Sequence, residues 1–279
     1  MVVECVACRN PPLRSAGHFL KRGIAVSQNN KMLSGEYEQR GEYHRQPDKK
    51  WHYYPVYVQK MAFVRKYLDR NTRQAKIADL GCGEGILVEE YRQRGFNILG
   101  VDANYSSDCV RNGDITALEF DDQSLDLVLA LDVIEHLDFA QQEAAIREIK
   151  RVLRPQGRAL LTIPNLAHFA SRVTFALTGK LLRTATIDRH KGDRPIGEYL
   201  TLCRRQGLKV VRRRGLFPTL PLISILTFLA PSRVVGLHAI YNRLLALPGV
   251  CFLNILELQP CENGLTISPQ VSSPRRQAA

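Results

Sequence analysis

The sequence predicts an α/β fold built on a parallel sheet, and three observations carry that expectation. Between residues 75 and 165 short apolar runs alternate with helical patterns, a glycine-rich turn joins the first run to the first helix, and acidic residues stand at the ends of successive runs. The chain has 279 residues, of which 45% are apolar and 24% charged. That is enough for one enzyme-sized core, and it excludes a collagen, a coiled coil or a wholly disordered tail protein.

The elements follow in order. Residues 1–54 mix Cys, Pro, Gly and Asn with isolated apolar residues and read as an N-terminal arm. Cys5 and Cys8 form a Cys-x-x-Cys pair with no second pair at ribbon spacing; His18 could assist, but no metal site is assigned. Val56, Met61, Val64 and Leu68 suit a helix opened by Pro55. The run Trp51-His52-Tyr53-Tyr54 before it reads as packing more readily than as pocket lining. Ala75–Leu80 is a strand, Gly85–Arg94 a helix closed by Gly95, and Asn97–Val101 a second strand. After a small helical or turn region, Ser124–Leu131 is a nearly continuous apolar strand suited to burial on both faces. A helix over Phe139–Leu153, with Ala144, Ile146, Ile149 and Leu153 toward the core, stops at Pro155 and Gly157 before the strand Arg158–Ile163. Such an order demands right-handed crossovers and places a ligand outside the carboxyl ends of the strands. Beyond it come helices over 166–180 and 196–206, a strand at Leu208–Arg214, an apolar insertion over 216–248 punctuated by prolines, and a last strand at Val250–Leu258. Residues 259–279 read as a disordered tail. The apolar stretches of the insertion fall short of the roughly 20 residues needed to span a bilayer.

The chemistry concentrates at Asp79-Leu-Gly81-Cys82-Gly83-Glu-Gly85. Glycines leaving a strand let the backbone bend sharply and approach a ligand, and the helix that follows offers free N–H groups. A dinucleotide fingerprint would need a third glycine at 86, where Ile86 stands, so a nicotinamide or flavin is not expected. A tight bend beside an acid suits a ligand carrying an ammonium and a carboxylate. Asp102, at the end of the second strand, is placed to accept two ribose hydroxyls, and Asp114, after a short third strand, to read the exocyclic amine of adenine.

These residues resemble the class I S-adenosylmethionine-dependent methyltransferases over roughly residues 60–165. Asp79 to Gly85 resembles motif I, Asp102 and Asp114 the acids of motifs II and III, and Asp126 to Leu137 the motif IV strand and its sequel, while Gln156 departs from a glycine frequent at that turn. The segment Asp132-Val-Ile-Glu135-His136-Leu is similar to the branch that includes ubiquinone O-methyltransferases, and Ile163-Pro-Asn165-Leu-Ala-His168 to one associated with methionine biosynthesis. The resemblance implies a Rossmann-like, doubly wound seven-stranded sheet with an antiparallel last strand. It also implies S-adenosylmethionine as cofactor, held by Asp79, Gly81, Cys82, Gly83, Gly85, Asp102, Ala103, Asp114, Ile115 and Leu131. His136 is the candidate base for an acceptor that must lose a proton, with orientation of the next helix as its bland alternative. Metal use by Glu135 and His136 stays open.

Charge and greasiness bear on the acceptor. Residues 1–76 carry +9, 77–165 carry −8 and 166–279 carry +11, so an acidic middle lies between basic flanks. Leu222, Ile223, Ile225, Leu226, Phe228 and Leu229, near Arg212, Arg213, Arg214 and Arg233, favour a small or amphipathic acceptor (lipid-, quinone- or glycan-linked) and peripheral membrane contact. A non-catalytic cofactor-binding module and a nucleic-acid methyltransferase are the rivals; no base-flipping tetrad or RNA-binding module supports the second. Seven irregularly spaced cysteines and no opening signal peptide suggest a cytoplasmic chain with reduced thiols.

Overall fold

The computed structural model describes residues 31–32, 47–183 and 189–261. Cys5, Cys8, His18 and the tail beyond 261 lie outside the described residues. Seven strands form the main sheet: β2 (Ile77–Leu80), β3 (Ile98–Asp102), β5 (Val110–Asn112), β6 (Leu125–Leu131), β7 (Leu153–Pro164), β8 (Leu208–Leu216) and β9 (Leu253–Pro260). Their order is β5-β3-β2-β6-β7-β9-β8; β9 runs antiparallel to both neighbours and the remaining pairs are parallel. This is the Rossmann-like sheet with an antiparallel last strand. A second pairing joins β1 (Lys31–Met32) antiparallel to β4 (Tyr105–Ser106).

Strand periodicity divides the core in two. In β6, Val128 and Ala130 face one cluster while Leu127 and Leu129 face the other; Leu161 and Ile163 of β7 oppose Leu160 in the same way. Helices α3 (Phe139–Val152) and α5 (Ile196–Arg205) cover the first face, α1 (Tyr54–Leu68) and α2 (Ile86–Gln93) the second. A capping box sets the start of α3: Asp138 Oδ1 accepts from Gln141 N at 2.8 Å, and Gln141 Oε1 accepts from Asp138 N at 3.1 Å. The buried face of α3 uses Ala145, with Gln142 beside it, where the sequence pointed to Ala144.

The region between β3 and β6 takes the turn alternative, with the short strands β4 and β5 and no helix. The last strand begins at Leu253, three residues later than expected. Val250 and Cys251 instead close a turn, where Val250 O accepts from Phe169 N and Cys251 N donates to Leu247 O. The insertion after β8 folds as α6 (Pro221–Leu229) and α7 (Val235–Leu244), joined by a 3-10 turn, and α4 (Phe169–Thr178) precedes α5. No helix among the described residues is long and apolar enough to cross a membrane.

Candidate active site

The carboxyl ends of β2, β3 and β6 lie side by side, and the glycine bend emerges from the first. Gly81, Gly83 and Gly85 all adopt positive φ, at 65°, 57° and 76°. A Cβ at Gly81 would meet Val133 at 2.5 Å and one at Gly85 would meet Val110 at 2.4 Å, so packing and backbone both demand glycine there. Gly83 differs: a Cβ would meet nothing within 4 Å, so this residue turns a bare backbone toward open space. Its N–H donates to Asp102 Oδ2 at 2.8 Å, and Asp102 Oδ1 accepts from Asn104 N at 2.8 Å.

The bend is acidic and dry. Burial, reinforced by the Asp102 charge and opposed by Lys60, pushes Asp79 up to about 7. Burial also raises Asp102, against the backbone N–H groups that favour its charged form. The Cys82 thiol, raised well above its ordinary range by burial, packs inward where a Gly100 Cβ would stand, so this residue presents only its backbone to the bend. Ala103 is exposed beside Asp102, Leu131 is half-buried at the end of β6, and Ile115 is buried in the core. Asp114 is exposed just past β5, its Oδ1 accepting from Thr116 N at 2.8 Å.

A second group of side chains meets at Asp132, immediately after β6. This residue has φ 57°, uncommon for a side chain other than glycine, and such strain concentrates at functional sites. Its carboxylate accepts from Lys60 Nζ at 2.7 Å, Tyr53 OH at 2.9 Å and Thr162 Oγ1 at 2.5 Å. Burial works against the Asp132 charge, but the Lys60 ammonium and these hydrogen bonds outweigh it and hold the carboxyl below its usual range. Sequence reasoning named neither Lys60 nor Tyr53 for this site. The available signal was a lysine set within the apolar stripe Val56, Met61, Val64 and Leu68; the structure buries Lys60 with them. Tyr53, read as packing, also carries a polar role.

His136 lies on a 3-10 turn (Ile134–His136) that follows Asp132, and its Nδ1 is 2.9 Å from Arg189 O. A carbonyl only accepts, so Nδ1 bears the hydrogen and Nε2 is the basic nitrogen. Burial, with Asp132 next in weight, raises Glu135 well above the ordinary carboxylate range. His168, the other histidine of the quoted motifs, caps α4: its Nδ1 accepts from Ser171 N at 3.3 Å, and burial lowers it to about 4. It therefore serves structure rather than proton transfer.

Against known proteins, a methyltransferase-domain family profile matches residues 78–161, the stretch from β2 to β7. The ubiquinone biosynthesis O-methyltransferase of Saccharophagus degradans is 32% identical over 173 residues, covering 54% of this chain and 71% of that protein. The chain belongs to the class I S-adenosylmethionine-dependent methyltransferases. Similar enzymes from Nitrosococcus oceani and Pseudomonas aeruginosa are 28% and 31% identical; the match covers 50% and 48% of this chain and only 66% and 65% of those proteins. A methyltransferase solved with the Haloferax volcanii Trm112 methyltransferase activator shares the fold at 16% identity and TM-score 0.51, over 81% of this chain and 96% of its own.

The residues of this methyltransferase fit the family's cofactor, S-adenosylmethionine. A methyl side chain at Gly83 would fill the open space over the bend, and the close acids Asp79 and Asp102 provide negative charge for an ammonium and acceptors for ribose hydroxyls. When bound, the cofactor supplies an electrophilic methyl carbon.

Proposed function

We propose that this chain methylates an oxygen of an amphipathic acceptor drawn from a membrane surface. The observation carrying the acceptor class is the inverted polarity of α6 and α7. Their inward face is largely polar: Thr227, His238 and Asn242 are buried, Thr227 Oγ1 lies 2.7 Å from His238 Nε2, and Asn242 Oδ1 accepts from Phe217 N at 2.7 Å. Their outward face is apolar, with Leu222, Leu229 and Leu244 each about three-quarters exposed at 73%, 72% and 73%. A helix pair that buries hydroxyl, imidazole and amide while showing leucines to solvent suits a lipid interface better than water. Exposed Arg172, Arg233 and Arg243 supply positive charge for anionic head groups.

This face adjoins the site. His52 stacks on Phe228 of α6 at 4.4 Å, Tyr53 lies edge-on to Phe252 at 5.8 Å, and Tyr53 in turn donates to Asp132. A groove of about 250 Å³ between α4 and α6, lined by Phe169, Val173, Pro221 and Ile225, could take an apolar tail. The names of the relatives from Saccharophagus, Nitrosococcus and Pseudomonas support oxygen as the methylated atom and a quinone-like acceptor. Held at the glycine bend by Gly83, Asp79 and Asp102, S-adenosylmethionine would supply the methyl group for such an oxygen. The proton leaves on the His136 side, and the surrounding side chains hold the oxygen in line and exclude water.

The test is co-sedimentation with vesicles of anionic phospholipid, followed by labelled-methyl transfer to lipid and quinone extracts in the same vesicles. Binding and transfer that both fall when Leu222, Leu229 and Leu244 are changed to Glu, with unfolding unaffected because all three are exposed, support the reading. Transfer to a soluble acceptor that ignores the three changes contradicts it.

A further inference from the structure

The outer edge of β8 has no part in methyl transfer. β8 ends the sheet: β9 pairs along one side of it, and no strand among the described residues pairs with the other. An open edge presents a row of backbone N–H and C=O groups that another extended chain satisfies in register. We propose that this edge takes an extended acidic segment of a partner protein as an added strand.

The backbone itself builds a stripe of charge along this edge. By simple alternation Lys209 would point away from the face that Arg212 and Arg214 share. The register instead shifts between Val210 and Arg212, which leaves Val211 as the extra residue of a bulge. Lys209, Arg212 and Arg214 then stand across from Gln259, Glu257 and Ile255, alternate residues of β9, and so lie on one face. All three cations are exposed, and Val211 between them is 46% exposed. Arg213 falls on the opposite face, where its Nε donates to Asn254 Oδ1 at 3.0 Å.

The stripe lacks counter-charges. Residues 199–216 contain no acid, and among the described residues no ion pair forms to Lys209, Arg212 or Arg214. Glu257, across from Arg212, instead accepts from Tyr67 OH at 3.1 Å, and Arg214 rests on the Phe63 ring at 5.5 Å. These charges choose the occupant. A second copy of β8 would set arginines against arginines, so the stripe rejects self-pairing. Charges and bulges also guard sheet edges against aggregation, but cations of one sign exclude only their like and favour an acidic strand. Acids at every second position of such a strand set a carboxylate beside each cation of the stripe while its backbone pairs along the edge. A nucleic acid would use the arginines and leave the backbone groups unpaired. The chain's own residues 262–279 have Glu262 as their one acid, against Arg275 and Arg276, so a partner is the better source.

The test is fluorescence anisotropy of a labelled peptide of alternating Glu and Val, long enough to span Lys209 to Arg214, titrated with the full chain. The same peptide with its central Val replaced by Pro, and an oligouridylate, are titrated beside it. We expect saturable binding of one equivalent of the alternating peptide, at least ~10-fold weaker for the proline-interrupted one. Binding should also fall at least ~10-fold in the double variant Arg212→Glu, Arg214→Glu, with circular dichroism and affinity for S-adenosylmethionine unchanged. Absence of saturable binding overturns the proposal. So does equal binding of the two peptides, which would mean attraction of charge without strand pairing. Tighter binding of the oligouridylate than of the alternating peptide also overturns it, by making the stripe a nucleic-acid contact. None of these outcomes touches the methyl-transfer reading.

Discussion

Asp79 sits in an environment that carries it far from its ordinary chemistry. Its carboxyl titrates near 7 because it is buried beside Asp102, so the folded protein favours the protonated form. The stability this contributes is complete below the unfolded value of about 3.9, falls as pH rises, and is gone above about 7. A ligand bearing an ammonium prefers the ionised form and must therefore drive off the proton at acid pH. Affinity for S-adenosylmethionine is expected to climb between pH 5.5 and 7.5, by at most about tenfold per unit, and to lose most of that slope in Asp79→Asn. Calorimetric titration at the two pH values measures it, and equal slopes in both proteins would remove Asp79 from the site.

Among the elements, α1 and β6 are joined by a pair that local sequence does not reveal. Lys60 and Asp132 are 72 positions apart, and both side chains are largely withdrawn from water, at 6% and 22% exposure. Removing the cation leaves the carboxylate buried against Tyr53 and Thr162, so Lys60→Met is expected to cost about 3 kcal/mol in urea unfolding. Adding Asp132→Asn should recover much of that, while a neutral Lys60→Met would show that the pair holds nothing together. This contrast marks what was legible in advance. Gly81, Gly83, Gly85 and Asp102 could be read because a bend and the next strand tip lie close along the chain and their geometry demands particular residues. The helix at 139–153 could be read from its apolar spacing and from the Pro155 and Gly157 that stop it. Lys60 with Asp132 could not, because parallel crossovers bring distant segments together without leaving a local pattern. The inverted faces of α6 and α7 were half-legible: their apolar residues stood out, but only the structure shows Thr227, His238 and Asn242 on the inside.

At the scale of the whole molecule, the acidic stretch between 77 and 165 contains the bend and the strand tips. The basic stretch after 166 contains the greasy helices. A cationic cofactor is thus attracted to the acidic part of the fold, and the acceptor proposed above, at an anionic surface, to the basic part. The central claim is that the glycine bend holds S-adenosylmethionine, and calorimetric titration of the unaltered chain alongside Gly83→Ala tests it most directly. Gly83 has open space for a methyl group, so the substitution costs only the roughly 1–2 kcal/mol of a left-handed backbone while placing a carbon where the cofactor approaches. Saturable binding of one equivalent, weakened more than tenfold in Gly83→Ala while that protein remains folded, is the predicted result; no binding by the unaltered chain, or equal binding by both, would contradict it.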